Sequence, residues 1–225
     1  MSVKDLLRPL PGVRRVSLLR QRLGFESSAS FWEQRYATGG WSGPGSYGEL
    51  ACGKASFLNS FVRERGIDSV IEFGCGDGNQ LSLASYPRYI GLDVSRSAIE
   101  LCIGRFADDN TKSFFLYDGS AFLDRDGLLR ADLALSLDVV YHLVEDVVFE
   151  TYMNHLFNGG AQYVIVYATN DHIRDDAPHV THRKFSSWVD MHAPQFELEG
   201  VAKGPGSGTR AADFYVYRRL TTASR

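Results

Sequence analysis

Strand and helix patterns alternate through the middle of the chain, and this alternation constrains the fold more than any other feature. Short runs rich in Val, Ile, Leu and aromatic residues indicate buried strands, and apolar residues at helical spacing fill the gaps between them. Such an order predicts a parallel sheet with helices on both faces. The predicted strands are Ser69–Phe73, Tyr89–Leu92, Ser113–Tyr117, Asp132–Leu137 and Gln162–Ala168, and the predicted helices cover Glu49–Arg65, the stretch after Ser95, and Glu145–Phe157.

The C-terminal part of the chain has a different pattern. Two more predicted strands, Phe196–Val201 and Ala212–Arg218, follow one another across a connection rich in Gly and Pro. A hairpin of this kind makes the last strand antiparallel. The predicted fold class is therefore α/β, with a single doubly wound, seven-stranded, mostly parallel sheet, an antiparallel last strand and helices on both faces. A length of 225 residues fits one such domain.

The segment before the sheet divides into two parts, residues 1–25 and residues 26–47, and we assign residues 48–225 to the domain itself. The first 25 residues hold six basic side chains and one acid, although the whole chain has a net charge of −3. With a short amphipathic helix predicted over Val13–Leu23, they form either a frayed basic arm or a segment that docks on a membrane surface. Residues 26–47 combine aromatic residues with a glycine-rich loop, which is typical of a cover over a site.

Composition narrows the functional classes. No apolar run approaches the ~20 residues of a membrane helix, and no secretory signal stands at the start. The three cysteines have no metal-ligand spacing, which favours a reducing, cytoplasmic compartment. The histidines form no regular short-spaced pair on a helix, so we expect no metal site. The net charge argues against nucleic acid as the main partner. The oligomeric state stays open.

The most informative stretch runs from Val70 to Asn79, where a strand leads directly into a glycine turn. Glycines at every second position let the backbone take unusual dihedral angles and approach a ligand closely. A dinucleotide fingerprint would need a third glycine where Asn79 stands. Asp93 closes the second strand, where an acid accepts hydrogen bonds from both ribose hydroxyls. The pattern predicts an adenosine site without a pyrophosphate. The alternative is an ordinary strand-to-helix turn, with Asp93 as a helix N-terminal acid.

The segment Glu72–Gly78 resembles the first motif of class I S-adenosylmethionine (SAM)-dependent methyltransferases, and Gly91–Ser95 resembles their second. Tyr117–Ser120 stands where that family places an acid near the adenine amino group, and Asp132–Asp138 resembles the strand motif that faces the methionine moiety. The similarity covers residues 48–218. It implies SAM as cofactor, with Arg35 of the cover segment pairing with the methionine carboxylate. The cofactor-binding residues that it implies are Glu72, Gly74, Gly76, Gly78, Asp93, Asp118, Gly119, Ser136, Leu137 and Arg35.

Methyl transfer to a hydroxyl requires a group that removes a proton, and two candidates follow the fourth strand. Asp138 and His142 are our candidate catalytic residues, and capping or packing under the next helix is the alternative for both. The long polar connection Thr169–Phe185 also favours a site, because compact domains seldom hold such a loop without a function. The candidate substrate-binding residues are Trp41, Tyr141, His172, His182 and Arg183.

The resemblance implies transfer of a methyl group to a small-molecule or glycan acceptor, at oxygen or nitrogen. Two other functions stay open. Aminopropyl transfer on the same fold would need extra acids around an acceptor amine, and the Asp-Asp pairs Asp108-Asp109 and Asp175-Asp176 do not stand at strand ends. A non-catalytic SAM-binding module is the other, and the complete glycine motif argues against it.

Overall fold

The computed structural model describes residues 25–173, 175, 177–206 and 211–220. The predicted basic arm and its amphipathic helix lie outside these residues, apart from Phe25. Within them the chain forms five α-helices and seven strands. The helices are α1 Ser28–Ala37, α2 Gly48–Arg65, α3 Arg96–Arg105, α4 Asp146–Gly159 and α5 Phe185–His192, and the strands are β1 Ser69–Phe73, β2 Arg88–Asp93, β3 Lys112–Leu116, β4 Ala131–Leu137, β5 Gly160–Ala168, β6 Phe196–Lys203 and β7 Asp213–Arg219.

The seven strands form one sheet in the order β3-β2-β1-β4-β5-β7-β6. The first five strands pair in parallel, and β7 runs antiparallel to both β5 and β6. This confirms the predicted sheet, including its antiparallel last strand. The order of the strands reverses between β1 and β4, because β1 pairs with β2 on one side and with β4 on the other. A crevice therefore opens beyond the carboxyl ends of β1 and β4, where such sheets bind ligands.

Alternate side chains of the central strands build two hydrophobic cores, one on each face of the sheet. Ile71 of β1 packs among residues of α4 and α5, whereas its neighbour Val70 packs among residues of α2 and α3. The helices thus cover both faces, as predicted. Leu133 of β4 is fully buried. Truncation of such a residue to alanine costs about 2–5 kcal/mol, so this frame holds the strand ends rigidly under the crevice.

Two helices lie outside the ranges predicted above. Ser28–Ala37 lies within the segment for which the sequence indicates an aromatic, glycine-rich cover, and it begins because the Ser27 side chain accepts a hydrogen bond from the Ser30 backbone N–H. Phe185–His192 follows the long polar connection, whose described residues are irregular up to Lys184. No helix in the described ranges is long and apolar enough to cross a membrane.

Candidate functional site

A cavity of about 550 Å³ opens at the carboxyl ends of β1, β2 and β4. Its floor includes Glu72, Gly74 and Gly76 from the end of β1, Asp93 from β2 and Leu137 from β4. Small-molecule sites in proteins have volumes of about 300–1,000 Å³, so the cavity can hold a ligand of nucleoside size or larger.

The glycine turn after β1 needs its glycines for conformation and for space. Gly74 and Gly76 have φ angles of 83° and 59°, in the left-handed region that side chains disfavour. A Cβ atom on Gly74 would lie 2.5 Å from Cγ2 of Val139, and one on Gly76 would overlap the Ser42 hydroxyl. The turn is therefore packed tightly between the end of β4 and the segment after α1.

Asp93 lies at the end of β2 with its carboxylate buried in the cavity wall. Its Oδ2 accepts the Gly76 backbone N–H and its Oδ1 accepts the Ser95 backbone N–H, both at 2.9 Å. Burial raises the pKa of Asp93 to about 6, although these hydrogen bonds oppose the rise. Each carboxylate oxygen has further lone pairs, so Asp93 can support the glycine turn and still accept hydroxyl donors from a ligand.

Two more polar side chains line the same end of the cavity. Burial raises the pKa of Glu72 to about 7, and the Tyr89 hydroxyl donates to its Oε2 at 2.6 Å. Gln80 donates its amide to the Ala51 carbonyl at 3.1 Å, whereas its buried Oε1 has no hydrogen-bond partner among the described residues. A buried acceptor without a donor costs about 1–3 kcal/mol, so this oxygen is well suited to a ligand N–H. No sequence pattern indicated Gln80, because a glutamine after a glycine turn resembles a surface residue.

Asp138 follows β4 and has a φ angle of 61°, the one positive value among non-glycine residues in the described ranges. Its Oδ2 accepts Lys54 Nζ at 2.6 Å and its Oδ1 accepts the Tyr141 hydroxyl at 2.7 Å. Both carboxylate oxygens thus have strong donors inside the protein. These two donors fix the orientation of the carboxylate, which favours a positioning role over a role as general base.

His142 lines the cavity beyond Asp138. Its Nδ1 lies 2.9 Å from the His179 carbonyl oxygen, which only accepts hydrogen bonds, so Nδ1 carries the proton and Nε2 has the lone pair. Burial lowers the pKa of His142 to about 4. The ring is in edge contact with Trp32, at a centroid distance of 4.9 Å. His142 is therefore a neutral imidazole in a fixed orientation, with an acceptor nitrogen.

Helix α1 bridges the two helices on either side of the cavity. Glu33 accepts hydrogen bonds from the Ser95 and Ser97 hydroxyls at the start of α3, each at 2.7 Å. At its other end, Ser28 donates its backbone N–H at 2.8 Å and its hydroxyl at 2.5 Å to Glu145, the residue before α4. Trp32 and Tyr36 line the cavity from above. The helix is thus held over the site by polar contacts at both ends.

The loop after α1 contacts the glycine turn directly. The Ser42 backbone N–H donates to Asp77 Oδ2 at 3.0 Å, and the Asp77 backbone N–H donates to the Ser42 hydroxyl at 3.0 Å. The Tyr47 hydroxyl adds a bond to the same Asp77 oxygen at 2.9 Å. These bonds hold the pKa of Asp77 below its usual range in spite of its burial. Helix α1 and this loop, residues 28–47, are called the cover below.

The predicted cofactor residues divide into those that line the cavity and those that support it. Asp118 and Gly119 line it after β3, and the Asp118 carboxylate accepts the Ser120 backbone N–H in a tight turn. Ser136 is buried behind the wall and accepts the Tyr152 hydroxyl at 2.7 Å. Arg35 lies outside the lining, where it donates to the Trp41 carbonyl and packs over the Trp32 ring. Predicted residues in the lining are Glu72, Gly74, Gly76, Asp93, Asp118, Gly119, Leu137, Asp138 and His142, and those outside it are Gly78, Ser136, Arg35, Trp41, Tyr141, His172, His182 and Arg183.

The predicted substrate residues have other contacts. Arg183 donates to the Leu143 and Val144 carbonyls, so it secures the loop before α4. His182 lies 2.6 Å from the Thr169 hydroxyl. Tyr141 stands behind Asp138, whereas His172 and Trp41 are exposed. Their roles in substrate binding stay predictions. The described ranges contain no group of three or more His, Cys, Asp or Glu side chains with metal-binding geometry.

The chain resembles known proteins in part of its sequence and in its fold. No model of a known protein family matches the chain. Over 104 residues it is 35% identical to the small RNA 2'-O-methyltransferase of Arabidopsis thaliana, a match that covers 41% of this chain and 11% of the plant protein. The match therefore spans about a tenth of the length of that relative.

Solved structures share the fold over most of the chain. The N-methyltransferase NodS from Bradyrhizobium japonicum, in complex with S-adenosyl-L-homocysteine (SAH), has a TM-score of 0.68 at 16% identity, over 87% of this chain and 100% of that chain. The methyltransferase domain of the bacterial protein CtHen1 has a TM-score of 0.60 at 22% identity, over 76% and 98% of the two chains. The magnesium protoporphyrin IX methyltransferase of Synechocystis PCC 6803 with bound SAH has a TM-score of 0.61 at 14% identity, over 88% and 98%. At these identities the likeness establishes the fold.

Proposed function

Because the chain has the fold of class I SAM-dependent methyltransferases, we propose that it binds SAM in the cavity and transfers its methyl group to a small acceptor molecule. The observation that carries the proposal is the position of the cavity. It lies where the strand order reverses, with the glycine turn, Glu72 and Asp93 in its wall. Ligands of such sheets bind at this point.

The donor and acceptor atoms of the cavity suit the parts of SAM. The Asp93 carboxylate would accept the ribose hydroxyls, and Asp118 would accept the adenine amino group. Glu72 and the unpartnered Oε1 of Gln80 would accept the ammonium. Each of these protein groups is a hydrogen-bond acceptor, and the ribose hydroxyls, the adenine amino group and the ammonium are all donors.

The bound cofactor would supply a methyl group on a positively charged sulfur, and the protein would align the acceptor and remove its proton. His142 is the proposed general base, because its Nε2 has a free lone pair and its Nδ1 is fixed by the His179 carbonyl. Asp138 was an equal candidate from the sequence. Its bonds to Lys54 and Tyr141 support a positioning role instead.

The charge of the lining favours an acceptor without phosphate. Among the described residues the lining includes five acids and neither lysine nor arginine. An anionic methyl acceptor would be repelled by these acids, with no lysine or arginine in the lining to offset the repulsion. We therefore propose a hydroxyl or amine on a small molecule or an uncharged glycan. The five acids are Glu72, Asp93, Asp118, Asp138 and Glu145.

A ribose hydroxyl of RNA is the second candidate acceptor. The observation in its favour is the 35% identity to the plant small RNA 2'-O-methyltransferase over 104 residues. The acidic lining opposes it, because RNA recognition relies on cations at the phosphates. An incubation with methyl-labelled SAM separates the RNA acceptor from the small-molecule or glycan acceptor. The protein is offered small RNAs in one sample and small-molecule and glycan fractions of the source cell in others. Label on RNA would overturn the small-molecule proposal.

Calorimetry tests the cofactor. We expect SAM and SAH to bind and NAD not to compete, because Asn79 stands where a dinucleotide fingerprint needs its third glycine. Asp93→Ala should weaken SAM binding by about 1–3 kcal/mol, which is the cost of unmet buried hydrogen bonds. Asp68→Ala is the matched control, since this exposed acid precedes β1 at the opposite end of the sheet. No SAM binding by the folded wild type, or equal affinity in Asp93→Ala, would refute the assignment.

A further inference from the structure

Lys54 lies on α2, outside every motif that the sequence analysis identified, and it is fully buried. Its Nζ is 2.6 Å from Asp138 Oδ2 and 5.1 Å from the centroid of the Tyr167 ring. Burial of a lysine is costly unless its charge is compensated. A residue that only filled space between α2 and the sheet would be apolar, so its charge calls for an explanation.

The surroundings of Lys54 are rich in acids. Asp138 is the direct partner of Lys54. The charge of Lys54 also lowers the pKa of Glu72, although burial raises that pKa by more. Asp93 and Asp138 act in the opposite direction on Glu72, and the Tyr89 hydroxyl stabilises its anion. Two carboxyl groups, Glu72 and Asp138, thus interact with one buried cation, and Asp93 interacts with Glu72. The other titratable groups that interact with Glu72 are Tyr86, Cys75 and Tyr152.

We propose that Lys54 is a positioning residue of the cofactor site: its ammonium holds the Asp138 carboxylate in the cavity wall and favours the anionic form of Glu72. The inference rests on the proposed function. Lys54 does not line the cavity, whereas its partner Asp138 does. Its effect reaches a ligand through the two carboxylates.

The consequence is a site with negative charge in place for its ligand. The ammonium and sulfonium of SAM would meet the Asp138 carboxylate, which Tyr141 and Lys54 hold, and a Glu72 carboxyl group that Tyr89 and Lys54 bias towards its anion. Without Lys54, Glu72 would keep its proton to a higher pH, because two nearby acids in a buried site do not both ionise easily. A cationic ligand would then have to displace that proton.

Carbon NMR of the side-chain carboxyl groups in the ligand-free protein tests the proposal directly. In the wild type we expect Glu72 to titrate near pH 7. In Lys54→Met, a proton should remain on Glu72 to a pH at least about one unit higher, a tenfold change in proton affinity. Wild-type titration of Glu72 in a folded Lys54→Met protein would overturn the inference.

Two further variants keep the test decisive if Lys54→Met does not fold. Asp138→Asn leaves Lys54 without its anion, so Glu72 should titrate at lower pH than in the wild type. Adding Lys54→Met to that variant should raise the Glu72 midpoint by about one unit or more, and equal midpoints in the two variants would contradict the proposal. Lys112→Met is the matched control, because Lys112 is 8% exposed and pairs with Asp109 away from the cavity. It should leave Glu72 unchanged.

SAM affinity is the second readout. At pH 7, Lys54→Met should bind SAM about fivefold or more weakly than the wild type, and the difference should shrink by pH 9, where Glu72 has lost most of its proton in both proteins. A difference independent of pH would indicate a purely structural role and overturn the inference. If the wild type binds no SAM at any pH, the proposed function fails. The NMR titration still decides whether Lys54 favours the anionic form of Glu72.

Discussion

At the scale of single residues, His142 is where the structure gives the clearest chemical role. Its pKa of about 4 lies below the ordinary value of 6.5 because the ring is buried. It is therefore neutral above about pH 5 and able to accept a proton. We expect His142→Ala to lower turnover by roughly 10²–10⁴-fold with unchanged SAM affinity, since the proposed cofactor acceptors lie on other residues.

His192→Ala is the control for that variant, because His192 is exposed on α5 and lies outside the cavity lining. The pH dependence gives an independent check. A histidine with its ordinary pKa would cause turnover at saturating SAM to fall below pH 6.5, whereas His142 should keep it constant down to about pH 5. A break near pH 6.5 that disappears in His142→Ala would contradict the lowered pKa.

At the scale of secondary structure elements, the cover is held by few polar contacts and should open to admit the cofactor. Glu33 joins α1 to the start of α3 through the Ser95 and Ser97 hydroxyls. We expect Glu33→Gln to speed chymotrypsin cleavage at the exposed Trp41 of the ligand-free protein several-fold, because weaker docking populates the open state. Saturating SAH should slow cleavage in both proteins.

Glu26→Gln is the matched control, since Glu26 is an exposed glutamate near the start of the same segment. Its cleavage rate should equal that of the wild type. Cleavage at Trp41 that is equally fast with and without SAH in the wild type would show that residues 28–47 do not close over the cofactor.

At the scale of the whole molecule, every described residue that lines the cavity lies between Ser27 and Tyr152. We therefore expect removal of residues 1–24 to leave SAM affinity unchanged. SAH at 100 times its Kd adds about 2.7 kcal/mol, which should raise the Tm of both proteins by about 5–10 °C in a thermal scan. Loss of that rise in the shortened protein would give residues 1–24 a part in cofactor binding.

Much of the fold could be predicted because its signals are local. A buried strand is a short apolar run, and each of the seven predicted strands overlaps an observed one within about two residues. Helix α1 escaped prediction because Ser28–Ala37 has weak apolar periodicity and lies beside a glycine-rich loop. Its docking through Ser28 and Glu33 is polar, and polar contacts leave no period in a sequence.

The sequence by itself determined the sheet, the glycine turn after β1 and the acid that closes β2, because each depends on the order of neighbouring residues. Only the tertiary structure decided which side chains face the cavity and which charges meet. Gln80 lies in the site because the glycine turn packs against α2, and Lys54 is linked to the site through Asp138 after β4. Arg183 lies outside the site because it binds the loop before α4. Burial and charge pairing, which set the pKa of Glu72 and His142, arise only when distant elements come into contact.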